Sequence, residues 1–116
     1  MRERKNTTFL ESREDFDNMQ IDKNLENGVL TIIPHGSIDY VTAPELDEVI
    51  ESEAPSVEEI IINMADVPYI ASAGLRTILN ADELMEDKKG VKLKNVNNDV
   101  MSILKMSGFL DTLNII

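Results

Sequence analysis

Cysteine and tryptophan are absent from this chain of 116 residues, and histidine occurs once, at His35. No disulfide, thiol nucleophile or thiolate metal site can form. A multi-histidine metal centre is excluded too, and any Ser-His pair would have to use that one ring. No apolar run approaches the ~20 residues of a bilayer-spanning helix, and no apolar core follows the charged start Met1-Arg2-Glu3-Arg4-Lys5. Positive charge is scarce: Lys plus Arg number 11 against 22 Asp plus Glu, a formal net charge of -11. Such a chain lacks the basic footprint that phosphate-backbone binding needs, and an anionic membrane would repel it. The expectation is a cytoplasmic protein with no direct nucleic-acid contact, no membrane insertion, and partners that offer a basic patch. Nothing in the composition calls for a cofactor or a metal.

What is present suits one small globular domain. Apolar residues make up 42%, enough for a single core at this length. Residues 1–18 stand apart, with Met1, Phe9, Leu10 and Phe16 the clearly apolar residues beside nine charged side chains. They read as a loose N-terminal extension, and residues 19–116 as the domain.

Within the domain, strand and helix patterns alternate. Met19 to Asn24 alternates in period two, Asn27-Gly28 is a tight-turn pair, and Val29 to Ile33 is apolar and β-branched. Together they predict an opening hairpin, broken at Pro34-His35-Gly36. Thr42-Ala43-Pro44-Glu45 predicts a helix start with a capping box, Thr42 capping and Glu45 reaching back. Ile60-Ile61-Ile62 predicts a central strand covered on both faces. A second helix is expected from Ser72 to the stop at Lys88-Lys89-Gly90, its apolar stripe on Leu75, Ile78, Ala81 and Met85 widened by Leu79 and Leu84. Val91 to Lys94 predicts a strand, Asn97 or Asn98 caps a third helix, Gly108 ends it, and Leu113 to Ile116 can add a last strand. The fold class is therefore α/β: one mixed sheet with a parallel centre and an N-terminal hairpin, covered by three helices on at least one face.

Two segments exceed what folding alone requires. Ala71-Ser72-Ala73-Gly74 places four small residues where a loop enters a helix. The plain role for Ser72 is an N-cap, at ~1 kcal/mol. The sharper role is a modification site: a hydroxyl among small side chains is open to a protein kinase, and a phosphate there would spoil an apolar interface at several kcal/mol while sparing the fold. The second segment is the loop Gly36 to Thr42. Its Asp39 is left unexplained by a capping box. Both loops follow strands of a parallel sheet and so leave it at the same edge.

The ordered set Gly36-Ser37-Ile38-Asp39 before Thr42-Ala43-Pro44-Glu45-Leu46, Ile60-Ile61-Ile62-Asn63 before Val67-Tyr69-Ile70, Ser72-Ala73-Gly74-Leu75-Arg76, and Ile103-Leu104-Lys105-Met106-Ser107-Gly108-Phe109 resembles the STAS domain, in its stand-alone bacterial form. The resemblance covers residues 19–116. It implies an anti-sigma factor antagonist whose unmodified form captures an anti-sigma factor that is itself an ATP-dependent serine kinase. It implies phosphorylation at Ser72, reversed by a serine phosphatase, and a kinase-facing role for Asp39. Thr42, Ala71, Ala73, Gly74 and Arg76 would complete the partner-binding surface. The family's usual Asp-Ser-Ser-Gly-Leu stands here as Ala71-Ser72-Ala73-Gly74-Leu75, so Ser72 is the sole acceptor in the motif.

Three other readings compete. A constitutive interaction subunit of a signalling or trafficking complex would need no phosphorylation, and Ala71 and Ala73 suit it. A phosphate-accepting receiver shares this size and class but wants clustered carboxylates at strand ends, where Asn63 stands instead. An enzyme would need Ser72 paired with His35, and no strained Gly-x-Ser-x-Gly elbow supports that.

Overall fold

The computed structural model describes residues 19–116. The charged extension, residues 1–18, lies outside the described residues. Among the described residues five strands form one sheet in sequence order, β1 (Gln20–Glu26), β2 (Val29–His35), β3 (Glu59–Asn63), β4 (Val91–Lys94) and β5 (Asn114–Ile115). β1 and β2 are antiparallel, and every later neighbour is parallel. The hairpin turns on Asn27 and Gly28, both at positive φ (54° and 82°), the conformation that an Asn-Gly pair adopts cheaply. Three helices fill the crossovers: α1 (Ala43–Glu53), α2 (Ser72–Leu84) and α3 (Asn98–Ser107). Among the described residues, no helix is long and apolar enough to cross a membrane.

This strand order explains where the core lies. Each parallel connection moves one strand further in the same direction. Right-handed crossovers then put every helix on the same face of the sheet. Burial agrees: Leu30, Ile32, Ile60, Ile62, Val91 and Leu93 point into one core with Leu46 and Ile50 of α1, Leu75, Ile78 and Ala81 of α2, and Val100 and Leu104 of α3. The alternate residues, Val29, Thr31, Ile33 and Ile61 among them, form a second face outside that core. The expectation that Ile60-Ile61-Ile62 is covered on both sides is thus corrected, because Ile61 is only half-buried. A continuous apolar run cannot distinguish a two-sided strand from a one-sided strand with an apolar back.

Several ends also differ from expectation. Pro34 lies inside β2 instead of breaking it. Its parallel ladder to β3 stops at Ile32–Ile62, so by Pro34 only β1 remains as a neighbour and the missing N–H is harmless. α2 ends at Leu84, short of the lysines, and Leu84 is exposed where the stripe had placed it inside. Lys88 instead donates from Nζ to the carbonyls of Ala54 (2.9 Å) and Val57 (2.6 Å), satisfying the 3-10 turn Ala54–Ser56 after α1. α3 begins and ends as expected. Asn97 accepts from the Val100 N–H at 2.8 Å, and Gly108 closes the helix at φ 84°.

On the face opposite the helices the only histidine is held between two carboxylates. His35 Nδ1 lies 2.6 Å from Asp66 and Nε2 lies 2.9 Å from Asp22. The hydrogen bond to Asp66, then that to Asp22, raises the His35 pKa above its usual 6.5. The folded state therefore favours the imidazolium, which can donate to both acids. Its contribution to stability is complete below pH 6.5 and is lost as pH climbs through the raised folded value. Thermal melts should show Tm falling above pH 6.5 in wild type and a flatter profile in His35→Gln. Parallel profiles would discount the bridge.

Candidate functional site

The loops after β2 and β3 leave the sheet at the same edge and are joined there. Ile38 and Ile70 form a parallel bridge. The Ile38 N–H donates to the Tyr69 carbonyl at 3.0 Å, and the Ala71 N–H donates to the Ile38 carbonyl at 2.9 Å. Both isoleucines are fully buried, so two polar loops are fastened by an apolar staple beneath them. This junction sets Asp39 one residue past one arm of the staple and Ser72 two residues past the other.

Gly74 permits the contact. A Cβ at this position would lie 2.7 Å from Ile38 Cγ2, from the Ile38 carbonyl oxygen and from Ile70 Cγ1. Only a hydrogen side chain lets the first turn of α2 sit on the staple. Gly74 is buried, so its part is to seat the helix rather than to offer a surface.

Ser72 is exposed and is the first helical residue, not the cap. Ala71 occupies the cap position and has no side chain to cap with. The first intrahelical bond runs from the Leu75 N–H to the Ala71 carbonyl at 3.0 Å. The plain reading of Ser72 as an N-cap is thereby corrected: extended backbone at Ala71 (ψ 175°) shifts the helix start one residue on. Among the described residues the Ser72 hydroxyl has no hydrogen-bond partner. Ala73 is half-buried, and Arg76 is exposed one turn along the helix.

The capping box at α1 is corrected as well. Thr42 makes no side-chain cap; its hydroxyl donates to the Ser37 carbonyl at 2.8 Å. Glu45 Oε1 instead accepts from the Met19 N–H at 2.7 Å. Asp39 organises the turn: its Oδ1 accepts from the Val41 and Thr42 N–H groups, each at 3.0 Å. The Thr42 amide is the foremost of the donors that hold this carboxyl below the usual carboxylate range. Asp39 and Thr42 thus brace the loop, and the braced loop displays Tyr40 (79% exposed) and Val41 (48%). From the other loop, Tyr69 is 51% exposed.

A shallow groove continues from Ser72 along α2. It encloses about 250 Å³ and is lined by Ser72, Leu75, Arg76, Leu79 and Phe109. Sequence reasoning had not singled out Tyr40, Val41, Tyr69 or Phe109 as surface contacts. The available signal was their apolar character inside loops or just past a helix end, where burial needs no large side chain. A larger depression, about 420 Å³, lies between Glu51 of α1 and Asn80, Glu83 and Leu84 of α2, away from the loops. It offers two carboxylates and no convergent chemistry.

Two other arrangements are disposed of by the geometry. Both His35 ring nitrogens are engaged by Asp66 and Asp22, so this ring is not the base of a Ser72 nucleophile. Asn63 Oδ1 accepts from the Ala65 N–H (3.0 Å) and Asn95 Nδ2 (2.9 Å), a turn-forming role. Among the described residues no cluster of three His, Cys, Asp or Glu could hold a metal ion.

The model of the STAS domain matches residues 20–116. The chain belongs to the STAS domain family. A curated relative, the anti-sigma F factor antagonist of Paenibacillus polymyxa, is 30% identical over 96 residues, covering 78% of this chain and 80% of the relative. Among solved structures, an anti-sigma factor antagonist from Mycobacterium paratuberculosis superposes with a TM-score of 0.76 at 23% identity, covering 85% of this chain and 86% of that one. The phosphorylated form of the Bacillus cell fate determinant SpoIIAA superposes with a TM-score of 0.64 at 18% identity, over 84% of this STAS chain and 90% of its own. The sheet described above, with its hairpin, parallel centre and three helices, is the fold these structures share.

Proposed function

We propose that this STAS domain is an anti-sigma factor antagonist, acting in the cytoplasm by binding and not by catalysis. Residues 19–116 are the working unit, with 1–18 an appended tail. The unmodified surface around Tyr40, Val41, Tyr69, Ala71, Ala73 and Arg76 captures an anti-sigma factor that is also a serine kinase. Phosphorylation of Ser72 ends the capture, and a serine phosphatase restores it. In the transfer, the Ser72 hydroxyl oxygen bonds to the γ-phosphorus of ATP, the bond to the ADP oxygen breaks, and the hydroxyl proton passes to the kinase.

One observation carries this reading: Ser72 is an exposed hydroxyl without a hydrogen-bond partner among the described residues, at the meeting point of two loops that present apolar side chains. A structural serine at a helix start would spend its oxygen on the backbone. The likeness to the Paenibacillus antagonist supports the choice of partner. Incubation with the cognate kinase and ATP, followed by mass spectrometry, should place a single phosphate on Ser72. An unmodified Ser72 beside a kinase active on another substrate would count against the switch. A second reading, a constitutive STAS subunit of a signalling or trafficking complex, draws support from Ala71 and Ala73, which replace the acid and hydroxyl that usually flank the acceptor. It predicts co-purification with a partner that ATP does not disrupt.

A further inference from the structure

Arg76 has no structural reason to be a cation. It sits in the second turn of α2, far from the negative end of the dipole where a positive charge would be favoured. Its neighbours three and four residues away on α2 are Ser72, Ala73, Leu79 and Asn80, none of them acidic. Among the described residues it makes no salt bridge, whereas Lys23 pairs with Glu53 and Lys92 with Glu59. Among the described residues it is also the only charged one lining the groove that Ser72, Leu75, Leu79 and Phe109 complete. Positions 72 and 76 lie about 6 Å apart along the helix axis and on the same side of it.

We propose that Arg76 is the in-chain partner of a phosphate on Ser72, and that modification silences the groove by occupying this cation. This rests on the reading of Ser72 as a phosphorylation site. A guanidinium presents a planar fork of donors that suits a phosphate, and its stem is long enough to reach back one helical turn. Before modification, the same guanidinium is free for a carboxylate of the partner, beside an apolar side chain received by Leu75, Leu79 and Phe109. After modification the phosphate claims it, so two interactions are lost through one covalent change: the cation is cancelled and a net negative charge fills the groove mouth.

The experiment installs phosphoserine at position 72 of the full chain during translation, which needs no kinase. Phosphorus NMR titration should give a midpoint at lower pH in the wild-type background than in Arg76→Gln, with Arg76→Lys between them, because a nearby cation favours the dianion. The Arg76 Nε–H resonance should shift through the same titration, a readout that needs no substitution and so survives any variant that fails to fold. Superimposable titrations together with an unmoved Nε–H would overturn the proposal. A kinase assay that leaves Ser72 untouched while the titrations still separate would sink the regulatory reading and keep the contact. Coincident titrations with a kinase-modified Ser72 would sink the contact alone.

Discussion

Gly74→Ala should lower stability by about 3 kcal/mol and Tm by about 12–20 °C, the upper end of what one added methyl does in a packed interior. The new Cβ would approach three heavy atoms to 2.7 Å, and one of them is the Ile38 carbonyl oxygen. That oxygen is tied to the Ala71 N–H at 2.9 Å and cannot swing away alone. Relief would require α2 to lift off the staple, exposing Leu75 and loosening both loops. Gly108→Ala makes the control. Nothing lies within 4 Å of a Cβ there, so only the left-handed backbone (φ 84°) is penalised, at about 1 kcal/mol. Denaturant melts of the two variants separate crowding from backbone strain, and equal losses would refute the close-approach argument for Gly74.

Ser72→Asp should weaken capture of the anti-sigma partner by about 100-fold or more, whereas Ser72→Ala should hold wild-type affinity through ATP treatment. A charge brought into an apolar interface without a complete set of partners costs several kcal/mol, and each 1.4 kcal/mol is tenfold in affinity. Within the free domain the same charge meets the first turn of α2, where it contributes only about 0.3–1 kcal/mol in the stabilising direction. The binding loss is therefore expected without a fall in Tm. Calorimetric titration against the partner, paired with thermal melts, tests both halves. Equal affinities for the two variants, or a Tm drop matching the affinity loss, would contradict the separation of fold from surface.

Much of the architecture was legible because it depends on local signals that tertiary packing rarely overrules. Asn27-Gly28 and Gly108 each place a backbone conformation that few other residues accept, Asn97 supplies the cap oxygen of α3, and each sits where expected. The adjacency of the Asp39 and Ser72 loops was legible from topology, since parallel strands send their exits to one edge. Competition for the same hydrogen-bond donors was not legible. Thr42 and Glu45 have the spacing of a capping box, but Asp39 reaches the Thr42 N–H first and Glu45 is taken by Met19, 26 positions away in sequence. Ser72 had the composition of a cap and lost that role to the extended backbone of Ala71. Exposure of Tyr40 and Phe109 was equally hidden, because an apolar residue in a loop reads the same whether it turns in or out.

The staple between Ile38 and Ile70 has a consequence for how fast recognition proceeds. Both loops are already locked in one shape, so docking should resemble two rigid bodies meeting, with little conformational entropy left to lose. Encounter would then be governed by diffusion and long-range charge, accelerating as ionic strength falls for a domain this anionic facing a cationic counterpart.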